Sequence, residues 1–421
     1  MYTQHCAVCH GVTGIGNGPA SASLLPPPAD LTLHARWHSD EQLFWFITHG
    51  VAGTPMPSFA DQLRPSERWA VIAHVHALAA APTASSPREA PVGPAQVAEA
   101  TPAPPRDELI GRVVFAPDTD KDFWIWRFPG ESPERLAQFT RLDFASFPTW
   151  SPDGQRLAFS FYQLPRVGAI PAGTDLYVMN ADGSEVHPLA MHDTPGSALL
   201  YPAWAPDGSA VYVTHQARRP GGGADTRIER IDARSGERET VIPNAAYPSA
   251  SRDGRRLAYT AVPNPDGSGQ SLWISTIDRG EAREILPAGV FVRFSSLRFA
   301  PGGQRLLFAA VGQGTTYAPP AASRLDLLRL FLDGAVAHAN GEEWDLWTIE
   351  PDGRNLRRVT SLAEDLPVAS WSPNGGAVVF LGGGSARTAE TGLAVVAGDG
   401  SNLRRLTTRP GHRGADWSPV P

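Results

Sequence analysis

The sequence predicts a multidomain chain: a small N-terminal domain followed by a large all-β domain built as a six-bladed propeller. Three observations predict this. A fourteen-residue unit recurs from residue 147 to residue 381. The two ends of the β region are complementary fragments of one more such unit. Between the two domains, residues 81–108 carry seven prolines and no aromatic residue.

The N-terminal domain, residues 1–80, announces itself with Cys6-Ala7-Val8-Cys9-His10. The spacing C-x-x-C-H is that of a c-type haem attachment site. Two thiols three positions apart can each bond one vinyl group of the same porphyrin. The next residue then lies beneath the iron, where an imidazole nitrogen serves as axial ligand. A redox dithiol or half of a zinc site would need a βαβ setting or a second ligand pair. The chain has only these two cysteines.

After the motif come GVTGIGNGPASASLLPPPADLT and then EQLFWFITHGVAGTPMPSFADQLRPSERWAVIAHVHAL. In content and order this resembles the small class I cytochromes c of bacteria, an all-α family often fused to other domains. The resemblance implies one covalently attached haem c, bound through Cys6 and Cys9, with His10 and Met56 as iron ligands. Met/His ligation favours ferrous iron and raises the potential, and Pro55 and Pro57 stiffen the loop that carries the sulfur. Gly11, Gly14, Gly16 and Gly18 let backbone curl against a flat macrocycle. The family also uses a proline carbonyl to accept the imidazole N–H, and Pro19 and Pro26 to Pro28 compete for that role. Phe44, Trp45, Ile47, Phe59, Trp69 and Ile72 are expected to line the pocket or pack between helices. Of His34, His38, His49, His74 and His76, one as a rival ligand would give bis-His coordination; solvated histidines are the default. His74 stands where relatives place a tyrosine on the last helix.

Family members begin with a further helix ending in an aromatic residue four positions before the first haem cysteine. Tyr2 stands there, but the preceding helix and any signal peptide are missing, as in a truncated sequence. The resemblance still implies a periplasmic or otherwise exported protein. No apolar run approaches the roughly eighteen residues of a membrane span.

Residues 81–108 read as a stiff, semi-extended Pro/Ala-rich linker. The remainder, 109–421, repeats. Its units read FPTWSPDGQRLAFS (147–160), YPAWAPDGSAVYVT (201–214), YPSASRDGRRLAYT (247–260), SLRFAPGGQRLLFA (296–309) and VASWSPNGGAVVFL (368–381). Each is an apolar strand, a tight turn and an alternating strand; Asp or Asn caps the turn and Gly takes its left-handed position. Third and fourth strands follow, as in WDLWTIEPDGRNLRRVT (344–360), giving the four strands of a propeller blade. Residues 112–140 supply the second to fourth strands of a blade, and the terminal GADWSP supplies the missing first, so both ends close one blade. These repeats resemble TolB-type propellers.

One blade carries an insertion, 312–343, in which Leu325, Leu328, Leu332 and Val336 follow Ser323 at helical spacing. That helix is expected to pack on the propeller, dock the haem domain or bind a partner. The run Gly221-Gly222-Gly223 reads as a loop, since no helix follows it to cradle a phosphate. Asp153, Asp207, Asp253 and Asp352 read as turn formers, and the tryptophans of the β region as packing between blades. No G-x-S-x-G elbow or H-E-x-x-H helix is present.

The formal net charge of −7 argues against nucleic acid or an anionic membrane as partner. Three functions fit. The first is an exported electron carrier whose propeller docks a redox partner protein. The second is an oxidoreductase whose propeller binds a substrate and passes electrons to the haem. The third is a binding scaffold or haem sensor. The absence of catalytic motifs or a second cofactor site favours the carrier.

Overall fold

The computed structural model describes the chain outside residues 22–23, 25–27, 35–39, 51–55, 81–108, 118–121, 141–142, 164–172, 195, 219–223, 263–269, 279, 312–343, 362–366, 383–391, 409–412 and 421. The expected linker, the insertion with Leu325 to Val336, and Gly221–Gly223 therefore lie outside the described residues.

The N-terminal region is helical: α1 (Tyr2–His5), α2 (Ala7–His10), α3 (Leu31–His34), α4 (Asp40–His49) and α5 (Pro65–Ala80). Local chemistry sets the start of α5. Pro65 fills the first helical position, where the missing N–H costs nothing. Glu67 reaches back to accept the Arg64 N–H at 2.8 Å, one half of a capping box. The Arg64 guanidinium and N–H together hold the Glu67 carboxyl at about 2. Along α5, Val71, Ile72, Val75 and Ala79 recur at helical spacing and are buried. They pack on Tyr2, Ala7, Ile47, Phe59 and Leu63 in one apolar core.

The rest is all-β. It begins with β1 (Gly111–Phe115), β2 (Phe123–Phe128) and β3 (Glu134–Ala137). Then come β4 (Asp143–Trp150), β5 (Arg156–Gln163), β6 (Thr174–Asn180) and β7 (His187–Ala190). The third unit is β8 (Ala198–Trp204), β9 (Ala210–Arg218), β10 (Ala224–Asp232) and β11 (Arg238–Pro243), and the fourth is β12 (Ala245–Ala250), β13 (Arg256–Ala261), β14 (Ser271–Thr276) and β15 (Ala282–Leu286). The fifth is β16 (Arg293–Phe299), β17 (Leu306–Val311), β18 (Trp344–Ile349) and β19 (Arg357–Arg358). The sixth is β20 (Val368–Trp371), β21 (Ala377–Gly382), β22 (Gly392–Ala397) and β23 (Arg404–Arg405). A last strand, β24 (Ala415–Trp417), pairs antiparallel with β1 and completes the first unit, matching Val113 with Trp417 and Phe115 with Ala415. Within each unit the strands pair antiparallel in chain order; a parallel pair between Thr174 and Ala198 joins the second unit to the third.

The recurrent turn explains itself at 151–156. Ser151 donates to Asp153 Oδ1 (2.5 Å), which also accepts the Gln155 N–H (3.0 Å), while Gly154 sits at φ +66°. Ser251 and Asp253 repeat the pattern, and Ser372 and Asn374 repeat it with an amide. Asp207 and Asp352 accept the same i+2 backbone bond. All four aspartates are thus turn formers, as their motifs predict. These bonds hold the carboxyls of Asp153, Asp207 and Asp253 below the usual range.

Neighbouring units are stitched by one repeated device. An arginine from one unit lies over an aromatic ring at the end of the next unit's first strand: Arg112 on Trp150, Arg156 on Trp204, Arg256 on Phe299 and Arg305 on Trp371, at 4.7 to 5.3 Å. Three of these arginines also donate to a turn glycine carbonyl of that unit: Gly154, Gly303 and Gly375. The tryptophan indoles donate back to the preceding first strand, Trp150 to Asp416, Trp204 to Thr149 and Trp371 to Arg298, each at 3.2 Å. Stacked guanidinium and satisfied indole each add to the apolar burial around them.

That burial runs between every successive pair of units, as six apolar clusters. Phe123, Phe159 and Met179 join the first unit to the second, Leu176 and Leu199 the second to the third, and Tyr212 and Leu257 the third to the fourth. Phe294 and Leu272 join the fourth and fifth, and Leu346 and Phe380 the fifth and sixth. The last cluster brings Val379, Leu393 and Val395 of the sixth unit against Phe115, Trp126 and Trp417 of the first.

The first strands of successive units touch one another, and β24 touches both β20 and β4. Each of β4, β8, β12 and β16 carries a register shift at a residue of φ +53° to +55°: Phe147, Tyr201, Tyr247 and Ser296. A proline follows the first three, and a bulge is where a strand tolerates proline. The Phe147, Tyr201 and Tyr247 rings then stack in series, with centroids 4.3 and 4.5 Å apart.

Candidate functional site

The residues that the sequence singles out converge inside the helical region. The motif helix α2 ends at Gly11, φ +75°, so the chain turns back after His10. The returning loop lies on α2: Gly16 N–H donates to His10 O (2.9 Å), Gly18 N–H to Cys9 O (3.0 Å) and Ala20 N–H to Val8 O (2.9 Å). A Cβ on Gly18 would stand 2.4 to 2.6 Å from the backbone of Ala7, Val8 and Cys9, which is why a side chain is excluded there.

His10 is buried, and its Nδ1 lies 2.9 Å from the Ala29 carbonyl. A carbonyl can only accept, so Nδ1 carries the proton and Nε2 carries the lone pair of the neutral ring. This bond fixes the ring and its basicity. Among the described residues this acceptor is Ala29 rather than Pro19 or Pro28, while Pro26 and Pro27 lie outside the described residues. The Pro28 carbonyl is instead directed at Gly16, 2.5 Å from where a Cβ would stand, and the next carbonyl is the one that meets the imidazole.

Cys6 and Cys9 are half-buried and unbridged. Burial pushes the Cys6 thiol up to about 11 and raises Cys9 as well. Cys6 and Met56 both pack against the apolar core formed by Tyr2, Ile47, Phe59 and Ile72. The segment after Met56 is anchored to the end of α4: Ser58 Oγ donates to Thr48 O (2.7 Å) and Phe59 N–H to Ile47 O (3.0 Å). Arg68 of α5 donates to Thr48 Oγ1 (2.5 Å) and lies over Phe44.

The aromatic and histidine expectations sort by position. Ile47, Phe59 and Ile72 are buried, whereas Trp69 is 43% exposed and stacks on Phe44 between α4 and α5. The side chains of Trp45, His34 and His49, and all of His38, lie outside the described residues. His76 pairs with Asp40 at 2.7 Å, joining α5 to α4. His74 takes the place of the family's tyrosine by packing on the Tyr2 ring, centroids 4.6 Å apart, while Tyr2 Oη donates to Gly11 O.

The residues fit a haem: a ring nitrogen on a pinned imidazole, two thiols beside it in the chain, and a thioether on the same apolar core as Cys6. When bound, such a group cycles between ferric and ferrous iron and so stores one electron. His10 and Met56 would hold its iron, and Cys6 and Cys9 its ring.

In the β region the structure reveals a charged cluster that sequence patterns did not single out. The buried His215 lies 3.1 Å from Asp193 and 3.9 Å from Glu229, and Arg227 and Arg238 pair with both carboxylates. Burial lowers the His215 pKa, opposed by the charges of Glu229 and Asp193. The cluster ties residues 191–197 to β9, β10 and β11. Its residues are scattered between positions 193 and 238, so no motif could signal it. Among the described residues no group of three His, Cys, Asp or Glu side chains is placed to hold a metal ion.

The chain therefore combines a small helical region of cytochrome c type with a large all-β region. Residues 1–75 match the family described as cytochrome c oxidase, cbb3-type, subunit III, which implies a haem cofactor. The β region has the fold of TolB-like propeller proteins. The crystal structure of TolB from Acinetobacter baumannii is similar at a TM-score of 0.51 and 15% identity, over 73% of this chain and 66% of that one. The chain thus spans just under two thirds of that relative's length. The putative TolB from Agrobacterium tumefaciens is similar at a TM-score of 0.33 and 15% identity, over 60% of this chain and 89% of that one. No curated protein matches the chain. No helix among the described residues is long and apolar enough to cross a membrane.

Proposed function

We propose that this chain is an exported, single-haem c-type cytochrome that transfers single electrons, with its β region as the docking module. The observation that carries the reading is the pinned His10. Its Nδ1 is committed to the Ala29 carbonyl, next in sequence to two thiols, while the Met56 thioether packs on the same apolar core as Cys6. In this reading Cys6 and Cys9 would hold the porphyrin, and Nε2 of His10 and the sulfur of Met56 would hold its iron, which would supply the one-electron chemistry. A pinned imidazole is a strong donor to iron, and a thioether favours the ferrous state.

In the same reading the β region is a six-bladed ring closed by its two ends. The pairing of β24 with β1 and the cluster between the sixth and first units support this. The ring leaves only short outer edges and offers one face to a redox partner protein.

The test is the full chain matured in a periplasm. One haem per chain should survive denaturing electrophoresis, and Cys6→Ser or Cys9→Ser should each reduce the attachment, with the double substitution abolishing it. A reductive titration should consume one electron per chain. Haem that washes out on denaturation, or a titration of two or more electrons, would overturn the reading.

A further inference from the structure

We propose that the mouth of the β ring is the seat of the chain's own haem-binding domain, which spans the ring's axis and is held there by Arg293 and Phe144. The inference rests on the six-bladed reading above and assigns to this chain's own haem domain the face where β4 and β16 begin, leaving the other face to a redox partner.

Two contacts carry it. Arg293, the first residue of β16, donates through Nη2 to the Ser21 carbonyl of the helical region, and it is only 2% exposed. Phe144, the second residue of β4, meets Phe46 of α4 with ring centroids 5.9 Å apart. β4 and β16 are the first strands of the second and fifth units. In a six-unit ring these units stand three apart, on opposite sides of the axis. Both residues lie at strand starts, so both contacts fall at the same end of the ring. A domain that touches both must therefore lie across the opening.

The chemistry of each contact suits a built seat. A guanidinium buried to this degree needs acceptors, and here the helical region supplies a carbonyl. Tyr247 lies close enough to feel the Arg293 charge, which opposes the burial that raises its phenol. Ser21 is itself 7% exposed and follows Ala20, whose N–H bonds to Val8 within the haem motif. The seat thus grips the loop that lies on α2. It fixes the haem motif relative to the ring, and a redox partner must approach from the side the ring leaves open.

The test uses the full holo chain. Residues 81–108 form a tether of 28 residues, which would let an unseated domain drift about 30 Å as a coil and about 90 Å if fully extended. Small-angle scattering should therefore give one compact particle, and cleavage at a protease site placed in 81–108 should leave haem absorbance eluting with the ring. Arg293→Glu should release the haem domain after cleavage and lengthen the uncut particle by tens of ångströms. Phe46→Asp should do the same from the haem side, where the haem spectrum reports that the domain is still folded. Two separated bodies in the wild type, with haem attached and the ring folded, would overturn the seat while leaving the proposed function standing. A compact wild type unchanged by both substitutions would overturn it too. Loss of haem from the wild type would instead count against the proposed function.

Discussion

In the proposed reading, closure of the β region turns on Asp416. It is 6% exposed in β24, and its Oδ2 accepts the Trp150 N–H at 2.8 Å and the Thr149 hydroxyl at 3.1 Å. Burial raises its carboxyl above the usual range, and the Arg298 cation, the Ser370 hydroxyl and the β4 donors oppose that rise. One side chain from the C-terminal strand thus ties the first unit to the second, fifth and sixth. Asp416→Ala removes the acceptor of a buried N–H, at about 1–3 kcal/mol. It also removes the negative charge felt by the half-buried Arg298 guanidinium, which adds to that cost. Asp416→Asn keeps an acceptor but loses the charge, so it should cost less than Asp416→Ala. Urea unfolding at neutral pH, followed by the fluorescence of the adjoining Trp150 and Trp417, gives both values. An Asp416→Ala variant within 1 kcal/mol of wild type would refute closure through β24.

Two further outcomes follow from single positions. Gly18→Ala places a methyl within 2.4–2.6 Å of α2 backbone, so the haem region should lose about 1–3 kcal/mol, seen as a lowered thermal midpoint of the haem absorbance. Burial lowers the His215 pKa, so its unfolded form binds protons first as pH falls. The stability contributed by neutral His215 is therefore complete above the unfolded value of about 6.5 and declines as pH drops below it. The unfolding free energy of His215→Gln should fall less steeply than that of wild type between about pH 7 and pH 5; parallel curves would show that His215 does not set this dependence.

The sequence exposes the elements whose physics is local. Ser151-Pro152-Asp153-Gly154 spells out a turn because Ser, Asp and Gly interact within four residues, and its repetition marks the units. Cys6, Cys9 and His10 are equally visible because attachment chemistry needs them adjacent. The imidazole acceptor was less visible: four prolines compete on paper, while the described bond goes to Ala29, next to a Pro28 whose carbonyl the Gly16 backbone approaches. The ladder of Arg112, Arg156, Arg256 and Arg305 on the next unit's ring was hidden for another reason. Each arginine meets its aromatic 38 to 66 positions away, so only the turn of one unit against the next brings them together. His215, Asp193 and Glu229 are the extreme case, since isolated histidines and acids look alike whether solvated or buried.

The most direct test of the central claim is the spectrum of ferric Met56→Ala in the full, haem-loaded chain. If Met56 sulfur and His10 Nε2 hold one iron, wild type shows the weak near-infrared band of thioether-bound ferric haem, and the variant loses it. The reduction potential should fall at the same time, while haem stays covalently attached through Cys6 and Cys9. Persistence of the band and of the potential in Met56→Ala would contradict the account.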